Sequence, residues 1–227
     1  MLIAYSFKPV LFAVGSLLEH VNKYCIVWGT GMAQPMTKIK PGKVIMTRGL
    51  LSQQIVKNMG GQILCKETGD PALLLPLIYN PNVEKCFDIT IIPHRVHYER
   101  ILSDVKKTNK KVNVIDLTVR NNQDIEAIVK NIKQSRIVFS SSLHGLIVAH
   151  AYGIPAIWIY FEELTGGDFK FKDYFSSVGI AVYEPLKWNE LLDENFNLNA
   201  INQQFMQVDK DRIIAIQKAL MDSFPCK

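Results

Sequence analysis

Short β-branched runs that stop at glycine- or serine-rich turns, each followed by a helical pattern, constrain this chain more than any other feature. Residues 25–28 run into Gly29-Thr30-Gly31, residues 44–47 into Arg48-Gly49, and residues 136–140 into Ser141-Ser142. Parallel neighbours need a crossover, and a helix supplies it, so strand–turn–helix repeats predict an α/β fold with parallel sheets covered on both faces. The spacing predicts further strands at 10–14, 62–65, 89–92, 113–117 and 155–160. Helices are predicted through about His20 and over 50–58, 96–106, 124–133, 143–152 and 209–223. In 124–133, Ile125, Ile128, Val129 and Ile132 share one stripe. Asn80-Pro81-Asn82 reads as the hinge between two α/β halves, 1–80 and 81–227, with the last helix able to pack back on the first.

The chain has 227 residues, 48% of them hydrophobic, which excludes disorder and suffices for a real core. The stretch 145–161 is the most apolar, but His150, Gly153 and Pro155 interrupt it, so it is no membrane span. Lys8-Pro9 breaks the apolar start and Glu19-His20 follows it, which argues for buried strand and helix over a signal peptide. Cys25, Cys65, Cys86 and Cys226 show no metal spacing and read as reduced thiols of a cytoplasmic protein. No metal is expected. The net charge of +5 suits an anionic small molecule or an anionic membrane surface as well as nucleic acid. Nucleic acid is not an expected partner, because the basic residues, including the stretch 106–111, are not interleaved with aromatics.

In open parallel sheets, ligands bind where strands end and helices begin. The strongest such turn is Ser140-Ser141-Ser142-Leu143-His144-Gly145. The first N–H groups of the following helix lack intrahelical partners and favour an anion. An imidazole at His144 stands at the positive end of the helix dipole, which suits a general acid that is charged when an anion arrives; plain N-capping is the alternative. Arg48 can aim its planar fork at a carboxylate or phosphate, or lie on the surface. Asp70, in Gly69-Asp70-Pro71, can orient a hydroxyl, act as a base, or cap. His94 and Arg95 stand at a strand end. Glu162-Glu163 follow a strand and could meet a hydroxyl or act as a base. Lys170, after Gly166-Gly167, can reach an anion, while Phe169, Phe171, Tyr174 and Phe175 could simply pack that loop. No Walker loop, HExxH, GxSxG or GxGxxG occurs, and Gly29-Thr30-Gly31 lacks the third glycine of a dinucleotide turn.

Val27-Trp28-Gly29-Thr30-Gly31-Met32, Thr47-Arg48-Gly49, Gly69-Asp70-Pro71-Ala72-Leu73-Leu74-Leu75-Pro76, Ser141-Ser142-Leu143-His144-Gly145 and Lys170-Phe171-Lys172-Asp173-Tyr174 occur in this order. In order and spacing the chain resembles the polysaccharide pyruvyl transferases. The resemblance implies two Rossmann-like halves like a GT-B glycosyltransferase, with the active site in the cleft between them. It implies transfer of the enolpyruvyl group of phosphoenolpyruvate onto two hydroxyls of a sugar, with no cofactor beyond that donor. The acceptor would be a lipid-linked capsule or exopolysaccharide repeat unit, met at the inner face of the membrane.

By position, His144 and Arg48 would be donor-site residues; a carboxylate such as Asp70 or Glu163 is the candidate base. Ser141, Ser142, Gly145, His94, Arg95, Lys170, Gly29 and Gly31 would complete substrate binding. The family's N-terminal Asn-x-Gly-Asp turn has no counterpart here, so the N-terminal half is expected to be incomplete. A misassigned start, a truncated product or compensation by homo-oligomerisation would each account for it. A nucleotide-sugar glycosyltransferase and a non-catalytic anion- or sugar-binding remnant are the competing readings.

Overall fold

The computed structural model describes residues 9–36, 38–40, 42–108, 111–163, 166–193, 195–198, 201 and 203–225. Residues 1–8 of the apolar start, Asn109-Lys110 of the basic stretch, and Cys226 lie outside them. In chain order the elements are β1 (Val10–Phe12), β2 (Cys25–Trp28), β3 (Lys43–Met46), α1 (Leu50–Asn58), α2 (Leu75–Ile78), β4 (Phe87–Ile92), α3 (Tyr98–Lys106) and β5 (Asn113–Val114). They continue with α4 (Asn122–Lys133), β6 (Ser135–Ser140), α5 (Leu143–Ala151), β7 (Ala156–Tyr160), α6 (Phe169–Val178), β8 (Leu186–Lys187), α7 (Trp188–Leu192) and α8 (Lys210–Asp222). The chain divides into two compact units. Unit 1 comprises Met1–Pro71, Thr165–Gly179 and Asp211–Lys227, and unit 2 comprises Ala72–Leu164 and Ile180–Lys210. The break falls at Pro71/Ala72 rather than at Asn80-Pro81-Asn82, and the chain returns twice to unit 1.

In unit 1, β1, β2 and β3 form a parallel sheet in that order. Leu18, Val27, Met32, Val44 and Val56 are buried together beneath α1 and the single 3-10 turn Leu18–His20, which replaces the longer helix expected there. The run predicted at 62–65 contributes one parallel bridge, Val44 to Ile63. Helix α6, read from the sequence as a loop, packs with α1; Phe171, Tyr174, Phe175 and Val178 give it a helical stripe, and Gly179 closes it at φ 77°. Helix α8 is tied to β2 by the Trp28 indole, which donates to the Leu220 carbonyl (3.3 Å).

Unit 2 is a parallel sheet ordered β5-β4-β6-β7-β8. Chain direction is therefore inside-out: from β4 the path goes to β5 on one side and then to β6 on the other. That reversal places a topological switch point between β4 and β6, whose register pairs Ile92 with Ser140. Alternation along each strand splits the side chains between faces. Ile91, Ile137, Phe139, Ile157 and Ile159 pack with Ile101 and Val105 of α3 and Trp188 and Leu191 of α7. The opposite face carries α5, because a side chain added at Gly145 would strike Ser140 Oγ and Ile92. Helix α5 is flanked by α2 and α4, so nearly every residue in it is buried, and its apolar sequence needs no membrane. The strand expected at 113–117 pairs over two residues only, and the helix expected from 96 opens as a 3-10 turn, Arg95–His97. Among the described residues, no helix is long and apolar enough to cross a membrane.

Candidate functional site

The carboxyl ends of β1, β2 and β3 in unit 1 are bound to one another by polar groups. Thr30 Oγ1 donates to the Gly15 carbonyl (2.8 Å) and accepts from the Leu17 amide, while the Arg48 amide donates to the Thr30 carbonyl (3.2 Å). The Arg48 side chain is fully buried. Its Nε donates to Asp173 (3.1 Å), one terminal nitrogen to Ser16 Oγ (2.8 Å), and the other to the Met32 carbonyl (2.7 Å). Asp173, equally buried, also accepts from the Ser52 amide and hydroxyl, both at 2.8 Å. The expected grip of Arg48 on an anion is thus corrected: every nitrogen is already engaged inside the fold.

Gly31 is required because a side chain there would meet the Arg48 guanidinium. Gly29, at φ +88°, lies against Pro71 where no side chain fits, and Gly49 admits the Asp173 backbone. All three glycines serve packing. Asp70 is also fully buried, which removes it from reach of an acceptor hydroxyl. Lys170 is half-buried and has no hydrogen bond or ion pair among the described residues. Burial, and then the Arg48 charge, hold its ammonium pKa below the ordinary lysine value.

Unit 2 treats its switch point differently. Ser140 Oγ accepts from the Ser142 amide (3.0 Å) and lies 2.8 Å from both the Ile92 and Ser142 carbonyls. The Ser141 amide donates to the Ile92 carbonyl (3.1 Å), and its hydroxyl accepts from the His94 amide (2.9 Å). These bonds hold the loop after β4 against the loop after β6. Ser142 is the N-cap of α5, yet its hydroxyl makes no capping bond, so the first-turn N–H groups of α5 are left without a side-chain acceptor. His144 lies in that turn, and its Nε2 is buried without a hydrogen-bond partner among the described residues. Arg95 is exposed and makes no hydrogen bond or ion pair among them. Glu163 is exposed just past β7, while Glu162 pairs with Arg100.

Together these groups supply a guanidinium, backbone N–H donors at the positive end of a helix and an imidazole with a buried nitrogen that has no hydrogen-bond partner among the described residues. Such a set can hold a compact acid and pass it a proton. Among the described residues, no three His, Cys, Asp or Glu side chains converge on a metal position.

The sequence-based selection overlooked three residues. Asp173 stood within a motif but received no role, because its partner is 125 positions away. Ser52 was passed over as one more helix residue. His97 is nearly fully buried, with Nδ1 unpartnered among the described residues and its ring against Phe161 (centroids 4.8 Å). Its position three residues after His94 was the available signal.

Comparison with known proteins adds an independent line. The family model described as polysaccharide pyruvyl transferase matches residues 4–162, more than half of the chain. The uncharacterized protein L143 of Acanthamoeba polyphaga mimivirus is similar at 30% identity over 219 residues, covering 94% of this chain and 75% of that protein. No solved structure matches.

Proposed function

This chain belongs to the polysaccharide pyruvyl transferase family, and from that premise we propose that it transfers the enolpyruvyl group of phosphoenolpyruvate onto two hydroxyls of a sugar in a capsular or exopolysaccharide repeat unit. The observation that supports this donor is the switch point of unit 2. There the N–H groups at the start of α5, without a side-chain cap, the buried Nε2 of His144, unpartnered among the described residues, and the exposed guanidinium of Arg95 stand on two loops held together by Ser141. Phosphoenolpyruvate carries a phosphate and a carboxylate on three carbons and needs such a concentration of donors.

In this mechanism the N–H groups of α5 and Arg95 hold the acid groups. His144 delivers a proton to the methylene carbon, leaving positive charge at the central carbon. One sugar hydroxyl attacks that carbon and the second displaces phosphate. Two hydroxyl protons are released; one offsets the proton gained by the methyl group and the other leaves with phosphate. Glu163, exposed just past β7, accepts the hydroxyl proton in this reading. The acceptor would be presented on its lipid carrier at a membrane surface, where the mild positive charge of the chain assists.

The test is phosphate release and formation of a ketal methyl signal when the protein is incubated with phosphoenolpyruvate and a sugar diol. His144→Ala should fold normally and turn over about 10²–10⁴-fold more slowly. Full turnover by that variant, or release of nucleotide from sugar nucleotides with no phosphate from phosphoenolpyruvate, would sink the reading.

A further inference from the structure

The geometry points to His97 as a further substrate-contacting residue at the unit 2 switch point: a neutral imidazole that donates its Nε2–H to an acid group of the bound donor. That the donor is phosphoenolpyruvate rests on the function proposed above; that an anion binds here does not.

His97 closes the turn between β4 and α3. Its ring lies 6.1 Å from that of His94, just past β4, and 4.8 Å from that of Phe161, just past β7. Strand β6 runs between β4 and β7. The imidazole therefore spans the carboxyl end of β6, where Ser140-Ser141-Ser142 turns into α5. Helix α3 covers one face of the sheet and α5 the other, so the turns that carry His97 and His144 flank the same strand ends from opposite sides.

The protonation state follows from the surroundings of the ring. Neither ring nitrogen has a hydrogen-bond partner among the described residues; Nδ1 is fully enclosed, whereas Nε2 is not. A hydrogen on Nδ1 would be a buried donor with nothing to accept it, so the favoured tautomer carries its hydrogen on Nε2. A second proton would have to go to Nδ1 and is disfavoured for the same reason. The charged groups facing the ring are the Glu162 carboxylate, which favours a cation, and the Arg100 guanidinium, which opposes one. They pair with each other, and Arg100 also stacks over Phe161. His94 adds a second imidazole on the same loop. Burial dominates and holds the His97 pKa below the usual histidine value. A neutral donor can hold an acid oxygen without giving up a proton, which leaves proton delivery to His144.

The experiment is ring-nitrogen NMR of the full chain from about pH 5.5 to 8, alone and with phosphoenolpyruvate or inorganic phosphate, together with binding measurements on two variants. At neutral pH and above His97 should be the neutral Nε2–H tautomer, and its Nε2 resonance should move when either anion is added. His97→Asn, which keeps an N–H donor and cannot titrate, should retain binding to within a few-fold. His97→Leu should weaken both anions about 10- to 100-fold. The inference is overturned if the ring takes up a proton with the ligand, if neither anion moves its resonances, or if His97→Leu binds like the wild type. If both anions move His97 but no sugar diol yields phosphate, the anion contact stands and the transferase reading falls. Should the leucine variant fail to fold, the wild-type resonances decide the matter.

Discussion

At the carboxyl end of β3 in unit 1 stands an arginine whose every nitrogen is bonded within the protein; past the end of β4 in unit 2 stands one with no bond among the described residues. Both follow parallel strands, the position where α/β sheets present ligand-binding groups. Arg48 holds strand ends, α1 and α6 together through Asp173 and Ser52, in a network whose charges and hydroxyls are satisfied. Arg95, His97 and His144 leave nitrogens with no hydrogen-bond partner among the described residues. Strand-end position alone therefore does not separate scaffold from site. The state of each donor does.

The largest expected effect breaks the scaffold side of this contrast. Asp173→Ala would leave the Arg48 charge buried and uncompensated, at a cost of about 3–5 kcal/mol, read by chemical denaturation. Hydrogen exchange should locate the loss in unit 1, at α1 and α6. Replacing both partners with apolar residues, Arg48→Met with Asp173→Leu, should recover most of it. If Asp173→Ala left stability unchanged, Arg48 would be free to serve as a ligand-binding residue and the contrast would fail.

A somewhat smaller effect separates the units by pH. His150 in α5 is fully buried, and desolvation pushes its pKa down to about 4 against backbone hydrogen bonds that raise it. Above its unfolded value of about 6.5 both states are neutral. Between there and about 4 only the unfolded chain takes the proton, so stability falls by about 3 kcal/mol across that window and no further below it. Acidification should therefore loosen amide protection around α5 in unit 2. His150→Gln should flatten this limb of the stability curve, whatever it costs at neutral pH. An unchanged acid limb in that variant would place the sensitivity elsewhere.

The sequence made the local grammar readable. Cys25–Trp28 and Leu50–Asn58 were legible residue for residue, and β6 and α5 nearly so, because hydrophobic periodicity and glycine or serine turns mark them without outside help. The loops carrying His94, Arg95 and His144 were legible as well, since strand ends are local. The partner of Arg48 was not. An arginine before a glycine looks alike whether it faces solvent or an aspartate 125 residues away, and only folding decides which. Helix α6 was readable but misread: Phe171, Tyr174, Phe175 and Val178 carry a helical stripe, which the glycines and charges before it disguised as a loop. Strand β8, of two residues, is too short for any alternation to show.

The smallest expected effect sharpens the contrast at Arg95. Arg95→Ala should leave stability within about 0.5 kcal/mol of wild type, because an exposed side chain with no partner among the described residues supports little. The same variant should bind phosphoenolpyruvate about tenfold more weakly if the guanidinium closes on an acid group. Arg95→Lys keeps the charge but loses the fork, so it should recover part of that affinity. Arg48→Lys should do the reverse: an ammonium cannot reach Asp173, Ser16 and Met32 together, so the fold should weaken. Two arginines at equivalent stations, one read in binding and one in stability, would show that the site lies where donors were left unsatisfied.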